Sequence, residues 1–263
     1  MFISQIWNEI ENFAPLAAAA HWDRSGLQVA SRRTEASCLA VCLDPVPASI
    51  LASLSAGADC ILSHHPLSLE PRLPNVLDAY HESLSLLLGS EVPLYAAHTS
   101  LDANPRGPAG WLAQVLDMHD AQPLEVTHEA GAQTYGFGQS GNLDRPMTID
   151  EIAEILGSHV DMSMARLCGP RPHGPISRIA YCPGSGGSLL GHAAARRVQL
   201  YITGDMRYHS ALDATICVLD VGHHSLEEEM MRRFSLDLER VLSGCKVKFV
   251  PSVSPFYPLA GGA

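Results

Sequence analysis

The stretch CLAVCLDPVPASILASLSAGADCILSHHPL (38–67) sets the fold. Residues 38–43 form an unbroken apolar run, too short for a buried helix and right for a strand covered on both faces. Asp44-Pro45-Val46-Pro47 breaks the run and opens a helix that reaches Ala56. Residues 59–63 (DCILS) are a second buried strand. A strand, a helix and a strand joined by short breaks make a βαβ unit, whose strands lie parallel. His64 and His65 follow the second strand directly.

The alternation continues in both directions. Apolar residues at 3, 6, 7, 10 and 13 predict a helix over Ile3–Phe13, stopped by Pro15. Downstream, 73–88 reads as a helix ended by Gly89, 92–97 as a strand and 110–118 as a helix. The Gly-rich segment 134–143 reads as an irregular strand with bulges. Thr148 and Glu151 form a capping-box pair at the head of a helix over 148–156. Strands follow at 165–168 and 177–182, then a helix at 188–198 and strands at 200–203 and 216–221. A long helix over 225–242 and a last strand at 247–250 complete the pattern, and the tail after Pro251, ending AGGA, reads as frayed. The expectation is an α/β protein of two related domains with mixed, mostly parallel sheets. The first takes residues 1–126 plus 223–263 and the second 127–222.

Composition narrows the function. The 263 residues carry 17 Lys+Arg against 28 Asp+Glu, a formal charge of −11. The basic residues cluster only as pairs (Arg32-Arg33, Arg196-Arg197, Arg232-Arg233), which makes a poor nucleic-acid binder. No apolar window is long enough for a membrane helix, and Glu9 and Glu11 stand where a secretion signal would be apolar. The seven cysteines include no C-x-x-C, and most lie in apolar runs, which suits buried thiols in a reducing cytoplasm.

The chemistry concentrates at strand ends. His64 and His65 follow one strand, and His98 with Asp102 another. Asp205 with His209 follow a third, and His223-His224 with Glu227 a fourth. In open α/β sheets, sites form beyond the carboxyl ends of strands. Were all four strands parallel, the four groups would meet along one edge. Imidazole and carboxylate together suit Zn, Fe, Mn, Co or Ni. His223 and Glu227, four apart, share a helix face, with Gly222 placed to make the turn before them. The adjacent His64 and His65 would point apart on a regular strand, but a turn before Pro66 can aim both at one cluster. Two ions about 3.5–4 Å apart under a bridging carboxylate, from Asp102 or Glu227, make a common hydrolytic design. Taken singly, each pair reads more simply as a surface, capping or loop feature; their joint occurrence favours metal. His21, His81, His119, His128, His159, His173 and His192 lie outside the groups. The turn at Ser185, Gly186, Gly187 and Ser188, opening a helix, has backbone amides that could hold an anion.

The segments WDRSGLQV (22–29), SHHP (63–66), HTSLD (98–102), TGDMRYH (203–209) and GHHSLEE (222–228) come in an order that resembles the NIF-three-like, YbgI-type dinuclear metal-centre family. Its members are often labelled GTP cyclohydrolase I type 2 homologues. The resemblance implies two α/β domains, a metal site in the interdomain cleft, two divalent ions per subunit and a homo-hexameric ring. It also implies His64, His65, Asp102, His223 and Glu227 as metal ligands, with Glu227 bridging. His98 is implied beside the metals, and Thr203, Asp205 and His209 in the cleft. The activity implied is hydrolysis of a nucleotide-like small molecule, with GTP opened at the purine ring, phosphates on Ser185–Ser188, and His98 or His209 shuttling protons. A phosphoesterase at the same centre and a metal-binding scaffold without turnover are the alternatives. This chain departs from the family pattern at Arg24, where Asn usually follows Trp-Asp. It departs again at 107–114 (GPAGWLAQ), in place of Gly-Gly-x-Asn-Asp.

Overall fold

The computed structural model describes residues 1–258, and the AGGA end of the tail lies outside the described residues. In chain order the elements begin with α1 (Ile3–Phe13), β1 (Gly26–Val29), β2 (Cys38–Cys42), α2 (Pro47–Ser55), β3 (Cys60–Ser63), α3 (Ala79–Ser90), β4 (Leu94–Ala96) and α4 (Thr99–Asp102). They continue with α5 (Trp111–Val115), β5 (Met118–Ala130), β6 (Gln133–Met147), α6 (Ile149–Gly157), β7 (Arg166–Cys168) and β8 (Ile176–Ser185). Last come α7 (Leu190–Ala195), β9 (Leu200–Gly204), α8 (Tyr208–Leu212), β10 (Cys217–Asp220), α9 (His223–Val241) and β11 (Lys246–Phe249). No described helix is long and apolar enough to cross a membrane.

The chain divides into two compact units. The first comprises Met1–Pro108 and Met231–Ser252; the second comprises Ala109–Met230 and the segment from Val253 onward. The divisions fall at 108/109 and 230/231, against the expected 126/127 and 222/223.

The first unit carries a five-stranded sheet in the order β1-β4-β3-β2-β11. The β3–β4, β2–β3 and β2–β11 pairs are parallel and β1 is antiparallel to β4. Every residue of β2 and β3 is buried, which explains why both read as continuous apolar runs. Pro47 occupies the start of α2, where its missing N–H removes a donor that would be unsatisfied anyway. Ile3, Ile6 and Ile10 form the buried stripe of α1. Ile6 and Ile10 are fully buried, and each contributes about 1.5–3 kcal/mol through removal of apolar surface from water.

The second unit carries a six-stranded sheet in the order β5-β6-β8-β9-β10-β7. Its central pairs β8–β9 and β9–β10 are parallel, and antiparallel strands flank them. Thr148 caps α6: its hydroxyl accepts from Glu151 N at 3.2 Å while Glu151 Oε2 accepts from Thr148 N at 2.7 Å.

Three elements differ from expectation. The helix expected over 73–88 begins only at Ala79, where Asp78 accepts from His81 N. It passes Gly89 and ends when Glu91 turns left-handed at φ +53°. β5 was not foreseen; it pairs with β6 as a long hairpin. β8 runs on to Ser185, so the Gly-rich turn lies at its end, and the helix expected at 188–198 shortens to α7. The single sheet edge expected to gather all four strand ends is two edges. β3 and β4 belong to one sheet, β9 and β10 to the other.

Candidate metal site

In the first unit, three imidazoles meet beyond the neighbouring parallel strands β3 and β4. After Ser63 the chain turns: His64 N donates to Leu43 O at 3.1 Å, as does His65 N, and the Ser63 hydroxyl donates to His65 O at 2.7 Å. This breaks the strand's side-chain alternation, so both rings face one cluster. The His64 and His65 ring centres are 4.9 Å apart, and those of His64 and His65 lie 5.2 and 5.5 Å from His98. One ring nitrogen from each of the three lies within 4.8 Å of the others, so the group can hold a metal ion. Asp102, one helical turn past His98, puts Oδ1 3.6 Å from His64 Nε2. His64 is fully buried, and His65 and His98 are half-buried.

Each ring is held by its other nitrogen. His64 Nδ1 donates to Ala97 O at 2.8 Å, His65 Nδ1 to Asp44 Oδ1 at 2.7 Å and His98 Nδ1 to Asp23 Oδ1 at 2.7 Å. A carbonyl can only accept, so His64 Nδ1 carries a proton, and Nε2 is the nitrogen turned towards Asp102. Asp23 also accepts from the Ser25 and Thr99 hydroxyls, each at 2.6 Å. Burial alone would raise the Asp23 carboxyl, but the hydrogen bonds from His98, Ser25 and Thr99 hold it well below the usual range.

In the second unit, His223 opens α9 beyond β10, after Gly222 at φ +90°. Its Nδ1 donates to Asp205 Oδ2 at 2.7 Å, and its Nε2 lies 2.8 Å from Glu227 Oε2 one turn along. Burial disfavours the charge on this imidazole, but Glu227 and Asp205, one on each nitrogen, outweigh it and push the group up to about 9. Asp205 adopts a left-handed backbone, φ +55°, just past β9. Asp220 ties the two strand ends together. Its Oδ2 accepts two bonds from Arg166, at 3.0 and 2.8 Å, and one from Met206 N at 3.0 Å, while Oδ1 accepts from Gly222 N at 3.1 Å. Close approach demands glycine twice: a Cβ on Gly184 would overlap the Glu227 carboxylate, and one on Gly204 would meet His223 N at 2.5 Å.

The remaining expected residues are placed as follows. Thr203 is buried, and its hydroxyl accepts from Gly186 N at 2.9 Å; Tyr201 OH donates to Gly186 O at 2.8 Å. The turn at Ser185–Ser188 is therefore fixed from within, with one of its amides committed, and the helix it leads into has only six residues. His209 lies exposed on α8 with Tyr208 as its ring neighbour. Sequence reasoning missed Asp44 as the His65 anchor; its one signal was its place at the end of the 38–43 run. The anchoring roles of Asp23 and Asp205 were also missed, although both residues stand inside quoted motifs.

Two mixed α/β sheets with histidine–carboxylate groups at their strand ends define a class of metal-competent α/β protein. Within it, the chain belongs to the Duf34/NIF3 (NGG1p interacting factor 3) family, whose model matches residues 1–255. It is 28% identical to a GTP cyclohydrolase 1 type 2 homolog of Lactococcus lactis, over 98% of this chain and 100% of that one. It is 28% identical to the NIF3-like protein 1 of Drosophila melanogaster, over 95% and 86%. The fold matches that of a Bacillus cereus protein related to NIF3, with a TM-score of 0.88 and 19% identity over 98% of this chain and 99% of that one.

Proposed function

We propose that this protein is a dinuclear metal-dependent hydrolase, with GTP as the first substrate to test. One observation carries the reading. His64, His65, His98 and His223 all have Nδ1 held by an oxygen acceptor, which presents Nε2 as the outward nitrogen. Ligand histidines are oriented in this way in metal proteins, and the outer acceptor also raises the basicity of the coordinating nitrogen. The donors fit a divalent ion of the Zn, Fe, Mn, Co or Ni group. His64, His65, Asp102, His223 and Glu227 are the residues that would hold the two ions.

When bound, a divalent ion lowers the pKa of a coordinated water from about 15.7 towards 7. The chain's own residues supply the rest. Asp23 fixes the His98 ring, so His98 is the imidazole placed to accept or return a proton beside His64 and His65. His209 is the second candidate for that task. One water added at C8 would open the imidazole ring of the purine to a formamide, and a second would cleave that amide to release formate. The names of the bacterial relatives support this substrate, and the protein would act in the cytoplasm as a homo-hexamer.

Formate release from GTP by metal-loaded protein, abolished by a chelator, is the expected result. Absence of formate would remove GTP, and a panel of phosphoesters and other nucleotides would then test the phosphoesterase reading. The family's name records an interaction, which favours a second reading: a metal-dependent adaptor without turnover. That reading gains if metal removal abolishes partner binding while no substrate in the panel is consumed.

A further inference from the structure

The first unit has a cleft of about 510 Å³ between residues 23–28 and residues 67–80. Arg24 lines one wall, and Arg72 and Tyr80 line the other. The walls are tied together: Leu67 N donates to Gln28 Oε1 at 3.3 Å, and Arg24 Nε donates to Leu69 O at 3.2 Å. The Arg24 bond fixes the guanidinium by its inner nitrogen, and its Nη1–Nη2 edge makes no hydrogen bond among the described residues. Across the cleft, the Arg72 guanidinium lies 4.4 Å above the Tyr80 ring centre, with Asp78 accepting from Nη2. Both cations are therefore oriented in advance. Of the acids nearby, Asp78 offsets Arg72 through Nη2 alone. Asp23 is saturated by His98, Ser25, Thr99 and Arg24 N, and Glu70 stands exposed at the rim.

We propose that this cleft binds the oxyanion group, phosphate or carboxylate, of a small-molecule ligand, with Arg24 and Arg72 as its clamp. A planar guanidinium held at one nitrogen presents two parallel N–H donors, the geometry that phosphate and carboxylate oxygens accept. A net charge of −11 repels anions at long range, so a fixed local pair has to supply the attraction. Leu27 and Leu67 offer apolar wall to the rest of the ligand. Asp23, on the same wall, also holds His98, so a ligand clamped here lies close to that imidazole. Identifying the ligand as the substrate rests on the hydrolase reading above; the clamp itself does not.

The test is calorimetric titration of the EDTA-treated full chain with pyrophosphate and, separately, with citrate. Saturable binding of one or both is expected. Arg24→Gln and Arg72→Gln should each weaken it at least tenfold, and Arg24→Lys should keep part of it as an undirected charge. Preference for pyrophosphate assigns the clamp to phosphates, and preference for citrate assigns it to carboxylates. Absence of saturable binding, or wild-type affinity in both Gln variants, overturns the proposal. Metal content of Arg24→Gln, measured in parallel, should equal wild type. Formate release from GTP that persists unchanged in Arg24→Gln would overturn the identification of the clamped ligand as the substrate and leave the hydrolase standing. Clamp-dependent binding without turnover of any nucleotide would do the reverse.

Discussion

The two units place polar side chains at strand ends by the same device but load it differently. Beyond β3 and β4 stand three imidazoles and one close carboxylate, anchored by a carbonyl and two aspartates. Beyond β9 and β10 one imidazole stands between two carboxylates. The first group is rich in imidazoles, with spare members. The second is acid-rich, and its single imidazole is flanked by a carboxylate on each nitrogen. The contrast teaches that the second group has no reserve, so substitutions there should cut deepest.

Glu227→Ala should show the largest effect, losing at least one ion per chain by elemental analysis, because Glu228 points about 100° away on the helix. Two ions still bound would break the contrast. His192→Ala, on α7, should keep wild-type metal content. The anchors come next. Asp205→Asn and Asp44→Asn should each weaken metal affinity by about 10–100-fold in chelator competition. The loss should be greater for Asp205, whose histidine has no companion ring. Equal losses would erase the distinction between the two groups.

Smaller effects test the frames that carry the groups. Thr148→Ala, in the second unit, should lower stability by about 1 kcal/mol in denaturant titration. Asp78→Ala, in the first, should cost about the same through the cap of α3. The smallest concerns acid. Backbone and side-chain bonds from Thr148, with Arg145 alongside, pull Glu151 down to about 2 from 4.5. A depressed carboxyl stabilises the fold above its unfolded value, so its contribution is whole above pH 4.5 and fades as pH falls towards 2. Thermal melts of wild type and Glu151→Gln should therefore converge at the acid end of that window.

Much of this was legible where burial is complete. β2 and β3 are covered on both faces, and α1 and α6 carry a stripe and a cap that sequence periodicity exposes directly. β5 was hidden because most of its residues face solvent and Pro123 interrupts it, leaving neither an apolar run nor alternation. The head of the expected 73–88 helix failed because Pro74 and the Asp78 cap delay the start, so Leu73, Val76 and Leu77 stand exposed in a loop. The histidine groups were visible as strand ends, but sequence cannot say which sheet a strand joins, so two edges read as one. The turn that aims His64 and His65 together was foreseen from Pro66. The anchoring oxygens were not, because a backbone carbonyl such as that of Ala97 leaves no residue-type signature.

Asp205 carries a burden that glycine would not. A side chain at left-handed φ costs about 1 kcal/mol relative to glycine, whose mirror conformations are equally easy. Asp205→Gly should relieve that backbone strain while its His223 ring loses the anchor on Nδ1. A residue that makes the empty fold weaker and the imidazole better aimed marks a spot where ruggedness was given up for grip.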